Sequence, residues 1–534
     1  MKVARFTWMF FYIWLSLVLM QSVSVDGNCK QIVRYINHYT GLQSRIRPNI
    51  EGEWTSSRCE VRPGPKFVTR YFNILRNSTW QARFHHYSDY QCTKPSFTLL
   101  FKGFYKMGNK ASILIAGSTE TNFNYSSITI HPHTAEVERS ILNVAKRSCQ
   151  NTLTNIKTDP GIGVYSAQLQ VFNKKNCRTS FGISRYELSI VKKVTRRGKG
   201  SEYDVLYFGE VQTGRSRRKY NPTSYQLPLK RHNARNCTVC RTIRGSTAVH
   251  PPTFPKIRPR PVLLDDAWGS WTCETRPGGS FLTRYMVFHY KRRHWEGYFN
   301  YFKDPYCKKL MFTLYGKGVF SGGSRSTKVK GGEDYVFTLT EAALTPNDRA
   351  TTRALNSVSR NNECGKDGEW VTGVPMDISQ SKGCRMYGIS LPHTEYDLLK
   401  MDFNENEDRE LYVGQRPTSN KSPTSPSSRP TSYQIPMLRC SSFNMNFIPP
   451  TPEPTKKPST RYPKPPVINP ILTVPTLKRD GEKTTPKRKG KTSKGTKGSG
   501  VQGVEMAESV SNDARSLKSS LFSFIALMLM VKML

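Results

Sequence analysis

Short apolar runs, rich in aromatic and β-branched side chains and separated by Gly, Asp and Pro, recur through the first 445 positions of this 534-residue chain. Such runs predict strands. They fall at 66–72, 96–101, 112–116, 127–130, 186–191 and 204–208, and again at 281–288, 309–315, 334–339 and 410–413. One helix interrupts each series. Residues 134–146 bring Val137, Ile141 and Val144 to one helical face, and Thr345-Pro346 opens the matching segment with a capping residue and a proline at the first helical position. About eight strands per series suffice to close an antiparallel barrel or to build a sandwich.

The two series are one module written twice. Cys59, Cys92, Cys149, Cys177 and Cys237 are answered by Cys273, Cys307, Cys364, Cys384 and Cys440, at offsets of 214, 215, 215, 207 and 203 residues. Cys59-Glu60-Val61-Arg62-Pro63-Gly64, followed by Phe67, Thr69, Arg70 and Tyr71, returns as Cys273-Glu274-Thr275-Arg276-Pro277-Gly278, followed by Phe281, Thr283, Arg284 and Tyr285. Pro222-Thr223-Ser224-Tyr225-Gln226-Leu227-Pro228 likewise returns as Pro430-Thr431-Ser432-Tyr433-Gln434-Ile435-Pro436. A period near 210 residues far exceeds that of a solenoid, so these are complete duplicated domains, placed at 27–250 and 262–445. Glu60, Arg62 and Arg70 recur together as Glu274, Arg276 and Arg284, which predicts a charge network inside each module; recognition by Arg70 and Arg284 is the alternative.

Gly52-Glu53-Trp54 and Gly269-Ser270-Trp271 precede the first cysteine of each copy. Gly-x-Trp at the head of the first strand is how lipocalin barrels begin, so the barrel is the favoured architecture; the plain alternative makes both tryptophans core aromatics. The expected fold is mainly β: two duplicated antiparallel β-barrel-like, lipocalin-reminiscent domains, each with one helix and each disulfide-stabilised. A barrel of this size holds one small apolar ligand if its own side chains leave room. The candidate cavity residues are Trp54, Phe67, Trp271, Phe281, Val287, Phe312 and Phe337.

Lys2 and Arg5, an apolar stretch at 6–20 and a small polar run after it predict a secretory signal over 1–24. All 12 cysteines lie beyond it, so disulfides are expected at Cys29, Cys59, Cys92, Cys149, Cys177, Cys237, Cys240, Cys273, Cys307, Cys364, Cys384 and Cys440. Five per copy leaves Cys29 and Cys240 over. Either the odd member of each copy pairs with its counterpart, or each takes one of the extras. A zinc site at Cys237-Thr238-Val239-Cys240 lacks a second ligand pair at metal-site spacing. Sequons at Asn77, Asn124, Asn236 and Asn420 predict glycosylation, although Cys237 in the middle position makes Asn236 the poorest of them.

The net charge of +42 is extreme. Part of it sits in 446–510, a Pro-, Lys-, Thr- and Ser-rich segment expected to be a disordered stalk; its 455–497 stretch has 13 Lys and Arg against Asp480 and Glu482. Export removes nucleic acid as a partner and leaves sulfated glycosaminoglycans such as heparan sulfate. In the final segment, 511–534, the apolar stretch is only 11 residues long, against about 20 for a spanning helix, which favours a glycolipid-anchor signal over a short membrane segment. Both place the modules on the extracellular face of the plasma membrane.

The Cys-Glu-x-Arg-Pro-Gly-x-x-Phe-x-Thr-Arg-Tyr motif, twice present between a signal and a hydrophobic tail, resembles the APCDD family, the adenomatosis polyposis coli down-regulated proteins. The resemblance spans 27–440. It implies an extracellular, membrane-tethered glycoprotein that inhibits Wnt signalling, with barrel cavities suited to the acyl chain on Wnt. It also implies contact with the Wnt co-receptor and self-association as a homodimer, and it makes the motif cysteines structural bridges. The long basic stalk and short tail depart from the family pattern and bear on the mode of attachment. His85-His86 and His131-Pro132-His133 lack counterparts in the second copy and are expected to be exposed loop histidines. No catalytic set and no cofactor motif can be argued, so a non-enzymatic role is expected: a lipid-binding signalling antagonist or a heparan sulfate-binding surface protein.

Overall fold

The computed structural model describes residues 47–442 except 113–114, 149–168, 171–185, 199–200, 214–220, 233, 235–236, 359–362, 367, 405–406 and 420, together with Cys29 and Ile36. The segments read as signal, stalk and anchor, together with Cys149, Cys177, Asn236 and Asn420, lie outside the described residues.

The first copy contributes β1 (Gly52–Thr55), β2 (Glu60–Arg62), β3 (Lys66–Ile74), β4 (Thr79–Tyr87), β5 (Pro95–Ala111), β6 (Thr119–Pro132), β7 (Leu169–Gln170), β8 (Tyr186–Gly198), β9 (Ser201–Phe208) and β10 (Leu229–Arg231). Hydrogen bonds run β1-β10-β9-β8-β6-β5-β4-β3, and β1 pairs back onto β3, which closes an eight-stranded antiparallel barrel. The second copy repeats this with β11 (Asp266–Ser270), β12 (Glu274–Arg276), β13 (Ser280–His289), β14 (His294–Phe302), β15 (Leu310–Arg325), β16 (Glu333–Pro346), β17 (Met376–Asp377), β18 (Gly383–Cys384), β19 (Ile389–Ser390), β20 (His393–Phe403), β21 (Arg409–Val413) and β22 (Met437–Arg439). Here β11 pairs with β22 and β13 to close the ring, while β18 and β19 form a separate hairpin. Closure leaves no free edge in either ring.

Both barrels carry a bulge at the same place. The register slips at Lys102/Gly103 and at Lys317/Gly318. A Cβ at Gly103 would lie 1.9 Å from the Asn124 carbonyl oxygen, and one at Gly318 would lie 1.9 Å from that of Thr338, so only glycine admits the close approach. Most predicted strands are longer than the sequence runs suggested. The run at 112–116 lies partly outside the described residues; at its ends the Ser112 amide donates to the Ser118 carbonyl, and the Ser118 amide and hydroxyl donate to that of Ile115.

The helices also depart in detail from expectation. α1 (Ala135–Ser148) buries Ile141 and Ala145, with Val137 beside them, rather than Val144. α2 (Thr238–Gly245) was not anticipated and gives the first copy a second helix. α3 (Arg349–Val358) starts after Asp348, whose carboxylate accepts from the Ala350 and Thr351 amides; Pro346 instead ends β16. An aspartate at the N-cap supplies what Thr345 was expected to supply.

The fully buried tryptophans are Trp54 and Trp268, each donating its indole N–H to a backbone carbonyl, Ile50 at 2.7 Å and Asp265 at 3.2 Å. Trp54 pairs with Phe72 and Trp268 with Met286, so Trp268, not Trp271, is the counterpart of Trp54. Trp271 lies outside the second barrel. It packs in a cluster that joins Ile115, Ile190 and Tyr225 of the first copy to Phe281, Tyr285 and Val287 of the second. A reciprocal cluster sets Val329, Leu398 and Tyr433 against Val61 and Leu227. The polar contacts are reciprocal too. The Gly64 amide donates to Thr431 and the Gly278 amide to Thr223, while Thr213 and Thr418 exchange bonds.

Disulfides join Cys59–Cys92, Cys237–Cys240, Cys273–Cys307, Cys364–Cys384 and Cys29–Cys440. Cys237 and Cys440, the last members of each set, thus take the two extra cysteines rather than each other. Such bonds belong to an oxidising compartment. No helix among the described residues is long and apolar enough to cross a membrane.

Candidate cavity of the second barrel

Along β13, Leu282, Arg284, Met286 and Phe288 point into the barrel, where they line a cavity of about 100 Å³. Trp295, Phe299, Phe337, Leu339, Leu399 and Val413 complete its apolar wall. By a measure in which one water needs about 10–15 Å³, this is room for on the order of seven to ten waters. Side-chain size explains why space exists here. Pairing places Gly316 where the first barrel has Phe101, Leu339 where it has Tyr125, and Val413 where it has Phe208. In the first barrel those rings fill the interior: Phe101 packs 5.0 Å from Phe84 and 5.4 Å from Tyr125, and Phe208 stacks on Phe72 at 4.8 Å.

One end of the cavity is charged. Glu274 accepts from Ser270 at 2.5 Å, from Arg284 Nε at 3.0 Å and from Arg276 Nη2 at 3.1 Å. Arg276 also donates to the Gln434 side chain. The first barrel repeats the arrangement: Glu60 takes Ser56 at 2.5 Å, Arg70 Nε at 3.0 Å and Arg62 Nε at 3.0 Å, and Arg70 reaches Gln226 and the Leu227 carbonyl. The duplicated Glu and Arg residues are therefore internal networks. Burial opposes ionisation of Glu60 and Glu274, but the guanidinium groups outweigh it and hold both below the usual carboxylate range.

A second charged group has no such repeat. Arg416 grips Glu395 through two bonds of 2.6 Å, and His393 Nε2 lies 3.0 Å from the same carboxylate. Burial would raise Glu395, yet Arg416 brings it down to about 2. Asp397, two residues on, accepts from the Leu398 and Gly414 amides, but burial dominates and pushes it up to about 6. Two donors at this end, Arg276 Nε and Arg284 Nη2, are buried without an acceptor among the described residues. Buried donors are rarely left so.

Of the seven predicted cavity residues, Phe337 lines this space. Phe312 is inside the barrel but stacks between Tyr301 and Tyr387, at 4.6 and 4.7 Å, beyond the cavity. Trp54 is core in the first barrel. Phe67 packs on Tyr87, Cys92 and Phe254, and Phe281, Val287 and Trp271 lie in the cluster between the copies. Phe67, Phe281 and Val287 face away from the barrel interiors because β3 and β13 bury both faces, so the alternation is apolar on each side, and Trp271 follows the end of β11. His393, Glu395, Asp397 and Arg416 were missed. The signal was there in part: His393-Thr394-Glu395-Tyr396-Asp397 places three ionisable groups on one face of a strand.

The histidines of the first copy also differ from expectation. His85 is fully buried on β4, bonded to Thr98 at 2.9 Å and Ser246 at 3.1 Å, and Thr98 also bonds His133 at 2.7 Å. Burial depresses His85 to about 3 and the half-buried His133 to about 4, so both are neutral near pH 7. His131 is buried as well. Among the described residues no cluster of three or more His, Cys, Asp or Glu could hold a metal ion. Asn77 is exposed in the turn between β3 and β4, and Asn124 is half-buried on β6.

The duplication seen in the sequence, in the two closed rings and in the repeated Ser-Glu-Arg networks has a direct match among known families. The family model described as adenomatosis polyposis coli down-regulated 1 fits residues 28–255 and again 256–447, and the chain belongs to that family.

Proposed function

We propose that this protein takes an acyl chain into the second barrel and so restrains signalling by an acylated Wnt ligand at the cell surface. The observation that carries the reading is the cavity itself: an apolar wall ending in two buried arginine donors that lack acceptors among the described residues. Each methylene that leaves water for such a wall contributes about 0.8 kcal/mol. The arginine N–H groups suit the carbonyl oxygen at the head of the chain. Met286, flexible and unbranched, is the wall residue best able to yield as the chain enters. Family membership is consistent with a role in Wnt signalling.

The test copies the first barrel into the second. Val413→Phe and Leu339→Tyr restore the rings found at Phe208 and Tyr125 and should fill the cavity without opening the barrel. Native mass spectrometry of the unmodified protein should then show a bound fatty acid that both variants lack. Equal lipid occupancy in all three would reject the cavity as the site.

The charge supports a second reading, in which the basic surface binds heparan sulfate. The net charge of +42 is carried by the folded domains as well as by the stalk.

A further inference from the structure

We propose that the first barrel carries a second ligand site, a sulfate-binding groove between α2 and the barrel wall, built to take a segment of a sulfated polysaccharide. The inference rests on the second reading above and assigns it a place. The groove has a volume of about 640 Å³ and presents three guanidinium groups, Arg83, Arg241 and Arg244, and the imidazole of His232, around one carboxylate, Glu53.

The carboxylate accounts for only part of these donors. Glu53 accepts from Arg244 Nε at 2.6 Å and Tyr71 OH at 2.9 Å, with His232 Nδ1 at 3.3 Å. Arg83 lies 4.0 Å over the Tyr71 ring and donates one bond to the Arg244 carbonyl, which ties the helix to the wall, but its Nε is buried without an acceptor. Arg241 is exposed, and its guanidinium bonds Thr238 within its own helix. Three guanidiniums against one carboxylate leave an excess of positive charge, and planar N–H forks match the oxygens of a sulfate group.

The groove is also preorganised. Arg241 and Arg244 stand three residues apart on one face of α2. Cys240 and Ile243 bury the other face, and the Cys237–Cys240 bond fixes the first turn. No rotation of the helix is needed to present the pair.

Comparison of the two copies separates this site from the fold. The buried tryptophan and the Ser-Glu-Arg network occur in both barrels, as closure requires. Among the described residues the wall of the groove does not recur: by strand register Glu53 corresponds to Ala267 and Arg83 to Tyr298, while Tyr71 is kept as Tyr285. Residues that barrel closure does not require have gathered in one copy at this groove.

The full chain should be incubated with a heparin octasaccharide and its arginines then labelled with phenylglyoxal. Arg241 and Arg83 should be protected relative to the sugar-free chain, whereas Arg353, exposed on α3, should label equally. Arg241→Glu should weaken octasaccharide binding several-fold more than Arg353→Glu, which removes the same charge elsewhere; circular dichroism confirms that both fold. Binding with no protection at Arg241 and Arg83 would overturn the groove and leave the polysaccharide reading in force. No binding of the octasaccharide would overturn both. Protection by phosphatidylserine vesicles instead of the sugar would also overturn the assignment.

Discussion

Asp397 and Glu395 occupy the same wall of the second barrel two residues apart, yet their environments drive them in opposite directions. Asp397 has its folded pKa raised to about 6 by burial, so its favourable contribution is present below its unfolded value near 4 and is lost as pH rises through about 6. Glu395 is held down at about 2 by Arg416, so its contribution is present above an unfolded value near 4 and is lost only as pH falls toward 2. Asp397→Asn keeps an oxygen for the Leu398 and Gly414 amides and removes the buried charge. It should stabilise the protein at pH 7.5 by about 1–3 kcal/mol, with the gain vanishing below about pH 4. Urea titrations at both pH values measure this, and an equal effect at both would show that folding does not shift the Asp397 pKa. These residues were hard to find in the sequence because the first copy repeats none of the Arg416, His393 and Asp397 set. The networks of Glu60 and Glu274 were legible because they recur with identical spacing.

At the scale of elements, the sequence showed that strands exist better than which way they face. Phe281 and Val287 are strand residues as expected, but they belong to the outer face of β13, covered by the other copy. Both faces of that strand are apolar, and alternation of polarity cannot then distinguish inside from outside. Trp271 was matched to Trp54 on its Gly-x-Trp text, while the pairing of β11 with β13 gives that place to Trp268. The bulge glycines are a sharper case of sequence specified by geometry. Gly318→Ala drives a methyl group into the Thr338 carbonyl, and Gly103→Ala does the same at Asn124. Each should cost about 2–3 kcal/mol through backbone displacement. Alanine at Gly368, where no atom lies within 4 Å of the added carbon, meets no such obstacle, although its φ of +75° adds a strain of its own. Denaturation midpoints of the three variants, compared with alanine at the unobstructed Gly245, test the ranking; a tolerated Gly318→Ala would mean the bulge can relax.

Across the whole molecule, duplication has produced two rings joined by contacts that answer one another. Gly64 reaches Thr431 as Gly278 reaches Thr223, and Ile115, Ile190 and Tyr225 do on one side what Val329, Leu398 and Tyr433 do on the other. The linker takes part: Pro252 accepts from Tyr87 in the first barrel, and Val262 and Leu264 enter the core of the second. Such coupling predicts one cooperative unfolding transition for both barrels. Calorimetry of the unreduced protein should show a single peak with matching calorimetric and van't Hoff enthalpies, and two separated peaks would contradict the coupling.

Within that shared frame the barrels diverge where function would act. Leu339 and Val413 line open space in the second, and Glu53, Arg83 and Arg244 gather charge on the first. The central claim is that the open space receives an acyl chain. Binding of the ectodomain to acylated and unacylated forms of the same Wnt protein, measured side by side with the Val413→Phe variant, tests it most directly. The account predicts tight binding of the acylated form, much weaker binding of the unacylated form, and loss of the difference in Val413→Phe. Equal affinity for the two Wnt forms in the unmodified protein would contradict it.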